Sequence, residues 1–227
     1  QGKFGKGFVM SPDANRGQLV IEASGTDNPL NVAAVDDNIT ITVWQKNNSN
    51  PNSSTFWAIA DDSSRSTQAH LPWSDGAIVW DTSGCCGPTQ RIAGTPEAFD
   101  FNSWHLYSFV KRGGTKEIWI DGTLFRTGEG YSAHSVLNTQ LFLGGEPNGS
   151  NIPDATIDDF VIGQGALTPE QIAKLAGGAK PSDLVIDTDK DGIPDDWETQ
   201  YGFNLNDASD AKSDFDKDGF DNLAEYN

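Results

Sequence analysis

Acidic residues close to the end of the sequence alternate at a spacing that suits a hard metal ion. Asp187, Asp189 and Asp191 are separated by single residues, Gly192 follows directly, and Glu198 ends the stretch. Alternate aspartates on a turning backbone direct their carboxylates to one point, and the final glutamate adds two oxygens. Calcium takes about six to eight oxygen ligands, so the stretch predicts a Ca²⁺ site. The predicted ligands are Asp187, Asp189, Asp191, the backbone carbonyl of Ile193, Asp195 and Glu198.

A second stretch, residues 214–225, repeats this EF-hand-like pattern, and it starts 27 positions after residue 187. The predicted ligands of the second loop are Asp214, Asp216, Asp218, the backbone carbonyl of Phe220, Asn222 and Glu225. The competing interpretation is an acidic disordered tail, and two complete loops argue against it. Asp207 and Asp210 lie between the loops, where they could add ligands, but they occupy no fixed loop position.

Two adjacent cysteines, Cys85 and Cys86, lie between glycines in the stretch 67–92. A trans peptide keeps their Cα atoms about 3.8 Å apart, which is shorter than the roughly 4.4–6.8 Å of ordinary disulfides. Three interpretations remain open, namely two free thiols, a thiolate metal site and a vicinal disulfide. A disulfide would persist only in an oxidising compartment, and it would form a rigid apolar knob on which a sugar ring could stack.

Aromatic and polar residues surround these cysteines and predict a ligand site. Trp73 and Trp80 flank the Asp75-Gly76 turn, so one of them could face a ligand while the other packs in the core. Histidine, aspartate, glutamine and arginine side chains could bind sugar hydroxyls or a carboxylate. Packing or solvation competes with this interpretation for each residue taken alone. The candidate ligand-binding residues are His70, Trp73, Asp75, Trp80, Cys85, Cys86, Gln90 and Arg91, with Asp81 close by.

The charge balance limits the classes of partner. The chain of 227 residues carries a net charge of −18, and residues 183–227 hold 14 acids against 3 lysines. Such a surface argues against nucleic acid, because phosphates require lysine and arginine. No run of apolar residues is long enough to span a membrane, so membrane insertion is not expected.

Short strands with turn signals between them predict the element pattern. Residues 38–45 alternate apolar Ile39, Ile41 and Val43 with threonine and tryptophan, which is typical of a strand. Residues 167–176 predict a helix that Thr168 caps. Together these signals indicate an all-β antiparallel β-sandwich.

The motifs W-H-x-Y-x-F-V at 104–110, I-x-I-D-G at 118–122 and A-T-I-D-D-F-V-I at 155–162 resemble a LamG-like, concanavalin A-like jelly roll. The resemblance implies two curved sheets and a concave face that often takes glycans. It implies a structural ion at Asp158, for which a surface aspartate is the competing interpretation. The cysteine pair resembles a bacterial subset with a vicinal disulfide, and the tail resembles bacterial thrombospondin type 3-like or dockerin-like calcium repeats.

These observations predict a jelly-roll domain at 1–179, a linker at 180–186 and calcium repeats at 187–227. We find no paired carboxylates at glucanase spacing within residues 1–178, so no enzyme is expected. The expected function is an extracellular, glycan-binding module of a larger bacterial protein, joined to neighbouring domains through the tail. The alternative is an adhesive or structural spacer without a ligand, and a glycoside hydrolase is the third possibility.

Overall fold

Two stacked β-sheets form the larger part of the molecule in a computed structural model, which describes residues 1–13, 17–25, 28–49, 52–134, 137–184 and 187–226. The chain divides into a first unit, Gln1–Gly177, and a second unit, Gly178–Asn227. Residues 185 and 186 of the predicted linker lie outside the described residues. Among the described residues, no helix is long and apolar enough to cross a membrane.

The strands of the first unit, within the described residues, are β1 Phe8–Met10, β2 Leu19–Glu22, β3 Asn38–Asn47, β4 Phe56–Ala60, β5 Arg65–His70, β6 Ile78–Thr82, β7 Arg91–Gly94, β8 His105–Arg112, β9 Thr115–Ile120, β10 Thr123–Gly128, β11 Asn138–Leu143 and β12 Ala155–Gln164. Its helices are α1 Pro29–Asp36 and α2 Pro169–Ala176. The second unit contains α3 Asp195–Tyr201, α4 Asn222–Tyr226 and the 3₁₀ turns Pro181–Leu184 and Asp210–Lys212.

The first sheet has the strand order β1-β12-β3-β8-β9-β10, and the second sheet has the order β2-β11-β4-β5-β6-β7. The neighbouring strands pair antiparallel in both sheets. Half of the neighbouring pairs join strands that are not consecutive in sequence, as in the pairing of β12 with β3. The prediction of an antiparallel β-sandwich is therefore confirmed.

The core lies between the sheets and follows the alternation seen in the sequence. Ile39 and Ile41 of β3 are fully buried, because every second residue of a strand points to the same side. Phe109 of the first sheet reaches Phe56 of the second, with 5.6 Å between ring centroids, and lies 5.5 Å from the ring of Trp80. These aromatic contacts bridge the sheets and fix which side of β6 faces outward.

Helix α2 covers part of the outer side of the first sheet. Its N-terminus has a capping box in which Thr168 accepts from the Gln171 backbone N–H, as the sequence predicts. The buried side chain of Ile172 packs with Val110 and Trp119. This side of the first sheet is therefore partly covered by the helix.

The sequence interpretation missed α1, β5 and β7. The strand β5 reads RSTQAH and lacks the large apolar residues by which strands are recognised, yet five of its six residues are buried. Small residues of β5 fill the core side, and polar residues lie on the other side under larger neighbours. Its polar residues thus belong to a buried strand rather than to a loop.

Candidate binding face and candidate metal centre

The outer side of the second sheet carries a group of polar and aromatic residues, which we call the binding face. The cross-strand register aligns Gln68, Asp81 and Arg91 on the strands β5, β6 and β7. The register likewise places Trp57 of β4 opposite Gln68. Arg65 joins this group, because its guanidinium lies over the Trp57 ring at 3.9 Å from the centroid.

Asp81 is the electrostatic centre of the binding face and is fully buried. Arg91 donates to both of its oxygens, from Nε at 2.8 Å and from Nη2 at 2.7 Å. Arg65 donates from Nη1 at 3.4 Å. The hydrogen bond to Asp81 raises the pKa of Arg91 above its ordinary value, whereas burial lowers the pKa of Arg65. Glu146 acts on the charge of Arg65 and Asp75 acts on that of Arg91, so Asp81 is the nearest of several carboxylates that face the two arginines.

The cysteine pair lies beside this charge cluster. Cys85 and Cys86 form a disulfide, so the vicinal disulfide interpretation is confirmed and the free-thiol and thiolate metal interpretations are wrong. Both residues are exposed, and Arg91 Nη2 lies 3.3 Å from the Cys86 Sγ and 3.9 Å from the Cys85 Sγ. Gln90 accepts from the Gly87 N–H at 3.0 Å and so holds the loop closed. The disulfide therefore forms one border of the binding face.

Two tryptophans contribute aromatic surface. Trp57 and Trp73 are both partly exposed, and the Trp73 ring lies 4.3 Å from the His70 ring. Trp57 is absent from the candidate residues that the sequence suggested. The missed signal is its position between Phe56 and Ala58, both of which are fully buried, so that Trp57 faces outward.

His70 is held neutral beneath this surface. Its Nδ1 donates to the Ser53 carbonyl at 2.6 Å, because a carbonyl can only accept, and its Nε2 accepts from the side chain of Gln68. Burial lowers the pKa of His70 to about 4. The Oε1 atom of Gln68 is buried and has no hydrogen-bond partner among the described residues.

We expect His70→Gln to make the free energy of unfolding of the first unit depend less on pH on the acid side of neutrality. The unfolded chain binds a proton near pH 6.5, whereas His70 in the folded chain does so near pH 4. The stability that His70 contributes is therefore present above about pH 6.5 and is lost as the pH falls toward 4. The loss amounts to about 3 kcal/mol. Urea unfolding at several pH values measures it, and an acid slope that the substitution leaves unchanged would contradict the argument.

Three predicted ligand-binding residues have other roles. Trp80 is fully buried in the core and its Nε1 donates to Thr67 Oγ1 at 3.0 Å, so its prediction as a ligand-binding residue is wrong. Asp75 accepts from the Ala77 N–H at 3.0 Å in the β5–β6 turn, and Gln90 closes the cysteine loop. Each satisfies the backbone locally, as short polar side chains do in turns. Among the predicted residues, the structure brings His70 to Trp73, and it separately brings Arg91 to Cys85 and Cys86.

The Asp158 expectation also gains no support from the geometry. Its Oδ2 accepts from the Phe4 N–H at 2.8 Å, and its Oδ1 accepts from the Asp159 N–H at 3.1 Å. Among the described residues, Asp158 belongs to none of the acidic groups close enough to share an ion. Backbone N–H groups present positive charge to this carboxylate, so Asp158 anchors the N-terminal segment.

The two acidic loops of the second unit adopt matching conformations. Gly192 has φ 98° and Gly219 has φ 105°, the left-handed region that glycine tolerates best. The Gly192 N–H donates to Asp187 at 3.0 Å, and the Gly219 N–H donates to Asp214 at 2.9 Å. The glycine at the sixth position thus turns each loop around its first aspartate.

Unpartnered carboxylate oxygens test whether the first loop fits a cation. Buried oxygens without hydrogen-bond partners among the described residues are Asp189 Oδ1 and Oδ2, Asp191 Oδ2, Glu198 Oε1 and Oε2, and Asp210 Oδ1. Ligand atoms of Asp187, Asp189 and Asp191 lie within 4.8 Å of one another, as do those of Asp191, Glu198 and Asp210. Buried carboxylates are costly unless they are paired or coordinate a metal. Hard oxygens in this number fit calcium.

Burial and repulsion from neighbouring carboxylates act strongly on the side chain of Glu198. Burial first, and then the carboxylates of Asp189, Asp191 and Asp210, raise the pKa of Glu198 to about 7. Its side chain is 0% exposed, and no lysine or arginine of the described residues forms an ion pair with it. A divalent cation would supply the missing positive charge.

In each loop, the residue at the ninth position accepts a hydrogen bond from the residue at the second position. Asp195 accepts from the Thr188 N–H at 2.7 Å and from its hydroxyl group at 2.6 Å. Asn222 accepts from the Phe215 N–H at 3.4 Å. Both residues therefore tie the ninth position to the second, and direct ligation by them stays a prediction.

The remaining ligands of the second loop are more exposed. Ligand atoms of Asp214, Asp216 and Asp218 lie within 4.8 Å of one another. Burial and these neighbouring carboxylates raise the pKa of Glu225 above its ordinary value. The second loop thus repeats the electrostatic arrangement of the first loop with less burial.

The sequence profile of the family Laminin_G_3, described as the concanavalin A-like lectin/glucanases superfamily, matches residues 22–173. No curated protein matches the chain. Similar solved structures include the receptor binding domain of botulinum neurotoxin C/D mosaic serotype, with 17% identity, a TM-score of 0.57, and coverage of 75% of this chain and 41% of that chain.

Two further similar structures are complexes of the botulinum neurotoxin DC binding domain. One complex, with rat synaptotagmin II, has 17% identity, a TM-score of 0.58, and coverage of 79% of this chain and 43% of that chain. The other, with SialylT, has 16% identity, a TM-score of 0.55, and coverage of 75% and 42%. This chain spans less than half of the length of these neighbours, so the likeness shows the fold. The profile match and the two antiparallel sheets show that the chain belongs to the concanavalin A-like lectin/glucanases superfamily.

Proposed function

We propose that this chain is a non-catalytic, extracellular carbohydrate-binding module whose second unit is stabilised by calcium. The observation that carries the proposal is the binding face, where partly exposed Arg91 lies beside the exposed Cys85–Cys86 disulfide and Arg65 stacks on partly exposed Trp57. An apolar surface next to a few fixed polar groups suits a sugar ring, which has both an apolar face and hydroxyl groups.

The two partly exposed arginines of the binding face favour an acidic glycan. Asp81 neutralises one of the two arginines, and their exposed edges can still donate to a carboxylate or a sulfate group. The side chains of Arg65 and Arg91 are 20% and 31% exposed, so part of each guanidinium reaches solvent. A structural neighbour in complex with SialylT is consistent with a ligand of this kind.

The arrangement of Asp81 supports a binding role rather than a catalytic one. A glycosidase needs a carboxylate that can attack the sugar and a second one that can donate a proton. Both oxygens of Asp81 accept from Arg91, and the group has no exposed surface. The structural neighbours are likewise receptor binding domains.

An exposed disulfide is typical of proteins outside the cytoplasm, which supports an extracellular location. In the second unit, we propose that the predicted ligands of both loops hold Ca²⁺. The ion would neutralise carboxylates that otherwise repel one another. A calcium-stabilised tail of this kind would join the binding module to further domains of a larger bacterial protein.

One observation favours the alternative, a spacer domain without a ligand. Gln68, His70 and Asp81, at the base of the binding face, are 1%, 4% and 0% exposed. Their own neighbours cover them, so a ligand would contact mainly the rim formed by Trp57, Arg65, Arg91 and the disulfide. The two functions differ in whether these rim residues affect recognition.

Binding of the intact chain to a panel of acidic and neutral glycans tests the proposal. We expect Trp57→Ala, and separately Cys85→Ser combined with Cys86→Ser, to weaken binding about 10-fold, because each removes a stacking surface. Phe4→Ala is the control, since Phe4 is 51% exposed and packs against Trp44 on the other sheet. Absence of binding across the panel would favour the spacer, and unchanged affinity of both variants would remove this face from recognition.

A further inference from the structure

Asp210 lies outside both predicted loops, and its carboxylate faces the first of them. One of its oxygens comes within 4.8 Å of ligand atoms of Asp191 and Glu198. In sequence it stands 12 residues after Glu198, in a 3₁₀ turn. No spacing rule for the loop includes it, so only the fold brings it to the first loop.

The two oxygens of Asp210 have different surroundings. Oδ2 accepts from the Asn204 N–H at 3.0 Å, which fixes the orientation of the carboxylate. Oδ1 is buried and has no hydrogen-bond partner among the described residues. The fully buried Glu198 beside it likewise has two unpartnered oxygens. Anionic oxygens gathered in this way require positive charge between them.

We propose that Asp210 is a ligand of the cation of the first loop, together with Asp191 and Glu198. This inference rests on the proposed calcium binding and adds a ligand from outside the twelve-residue pattern. Calcium suits the arrangement because it accepts about six to eight oxygens in flexible geometry. The first site is therefore completed by the segment between the loops.

The position of Asp210 also links the two loops. Its backbone carbonyl accepts from the Asn222 side chain at 2.7 Å, and Asn222 occupies the ninth position of the second loop. A cation that holds the Asp210 carboxylate thus restrains the residue to which the second loop is anchored. Filling of the first loop is expected to order the segment that leads into the second.

The test uses the intact chain and two backbone amides as separate reporters. The Gly192 and Gly219 N–H groups donate to the first aspartates of their own loops, so their NMR signals follow calcium binding loop by loop. We expect Asp210→Asn to raise the calcium midpoint of Gly192 by at least roughly 10-fold. The control Asp207→Asn removes the same charge from an exposed residue whose carboxylate bonds to Ser209, and it should leave the Gly192 midpoint unchanged.

A second measurement needs no substitution and so does not depend on the folding of the variant. In the unaltered chain, the side-chain carboxyl ¹³C signal of Asp210 should shift with the same calcium midpoint as Gly192, while that of Asp207 stays in place. A stationary Asp210 signal, or a Gly192 midpoint that is the same in Asp210→Asn and in the control, overturns the ligand role. A Gly192 signal that ignores calcium in the unaltered chain overturns the calcium proposal as well.

Discussion

Glu198→Gln is expected to leave the second unit unfolded at calcium concentrations that keep the unaltered chain folded. Glu198 is fully buried, and it supplies two of the six buried carboxylate oxygens without a hydrogen-bond partner in the described part of the second unit. Glutamine keeps the shape and removes the charge and one of the two anionic oxygens. We expect the calcium affinity of the first loop to fall about 100-fold or more, at the upper end of what weakened metal ligation causes. Hydrogen exchange of the α3 amides, with and without calcium, measures the effect.

The same dependence should appear when calcium is removed from the unaltered chain. A cation that binds only the folded state stabilises it by about 2.7 kcal/mol at 100 times its dissociation constant. A chelator should therefore accelerate exchange throughout residues 187–226, while the sandwich core around Phe109 keeps its protection. Excess calcium should restore the tail. Exchange rates in α3 that respond neither to the chelator nor to Glu198→Gln would contradict calcium-dependent folding.

Asp81→Ala is expected to destabilise the first unit by about 3 kcal/mol, because it leaves two partly buried arginines without their anion. Arg91 loses both hydrogen bonds to this carboxylate, and Arg65 loses its ion pair. Arg91 would also no longer be held against the disulfide. Urea unfolding followed by tryptophan fluorescence measures the change.

A matched control for this experiment is Asp61→Ala. Asp61 is exposed in the turn between β4 and β5, and its replacement should change the free energy of unfolding by less than about 0.5 kcal/mol. If Asp81→Ala were as stable as this control, the arginines would have to find other partners. The assignment of Asp81 as the electrostatic centre of the binding face would then be wrong.

The alternation of Ile39 and Ile41 with polar residues was enough to predict β3 and its inward side, because a buried strand side requires apolar residues at every second position. The capped helix at Thr168 was equally readable. The strand β5 was not, since its sequence RSTQAH looks like a loop until its neighbours are known. Trp57 of the neighbouring strand β4 lies opposite Gln68, and the guanidinium of Arg65 lies over the Trp57 ring. These contacts cannot be read from the sequence of β5 alone.

Candidate residues of the binding face could be predicted only in part. Trp73 and Trp80 flank one turn, and a shift of one residue in register would exchange their sides, so the sequence alone could not tell which faces the core. The acidic loops are local patterns, and the structure brings their aspartates together. Asp210 belongs to no local pattern, because its approach to Glu198 depends on the fold of the segment between them.

The disulfide between neighbouring residues has a consequence for how the sandwich gains its stability. A cross-link usually stabilises a protein by lowering the entropy of the unfolded chain, and the gain grows with the number of residues enclosed. Cys85 and Cys86 are adjacent in the sequence, so this bond encloses almost no chain. The sandwich must therefore be stabilised by its packed core, and its folding does not wait for an oxidant. Oxidation changes the chemistry of a surface, and a reducing environment would remove that surface while leaving the sheets intact.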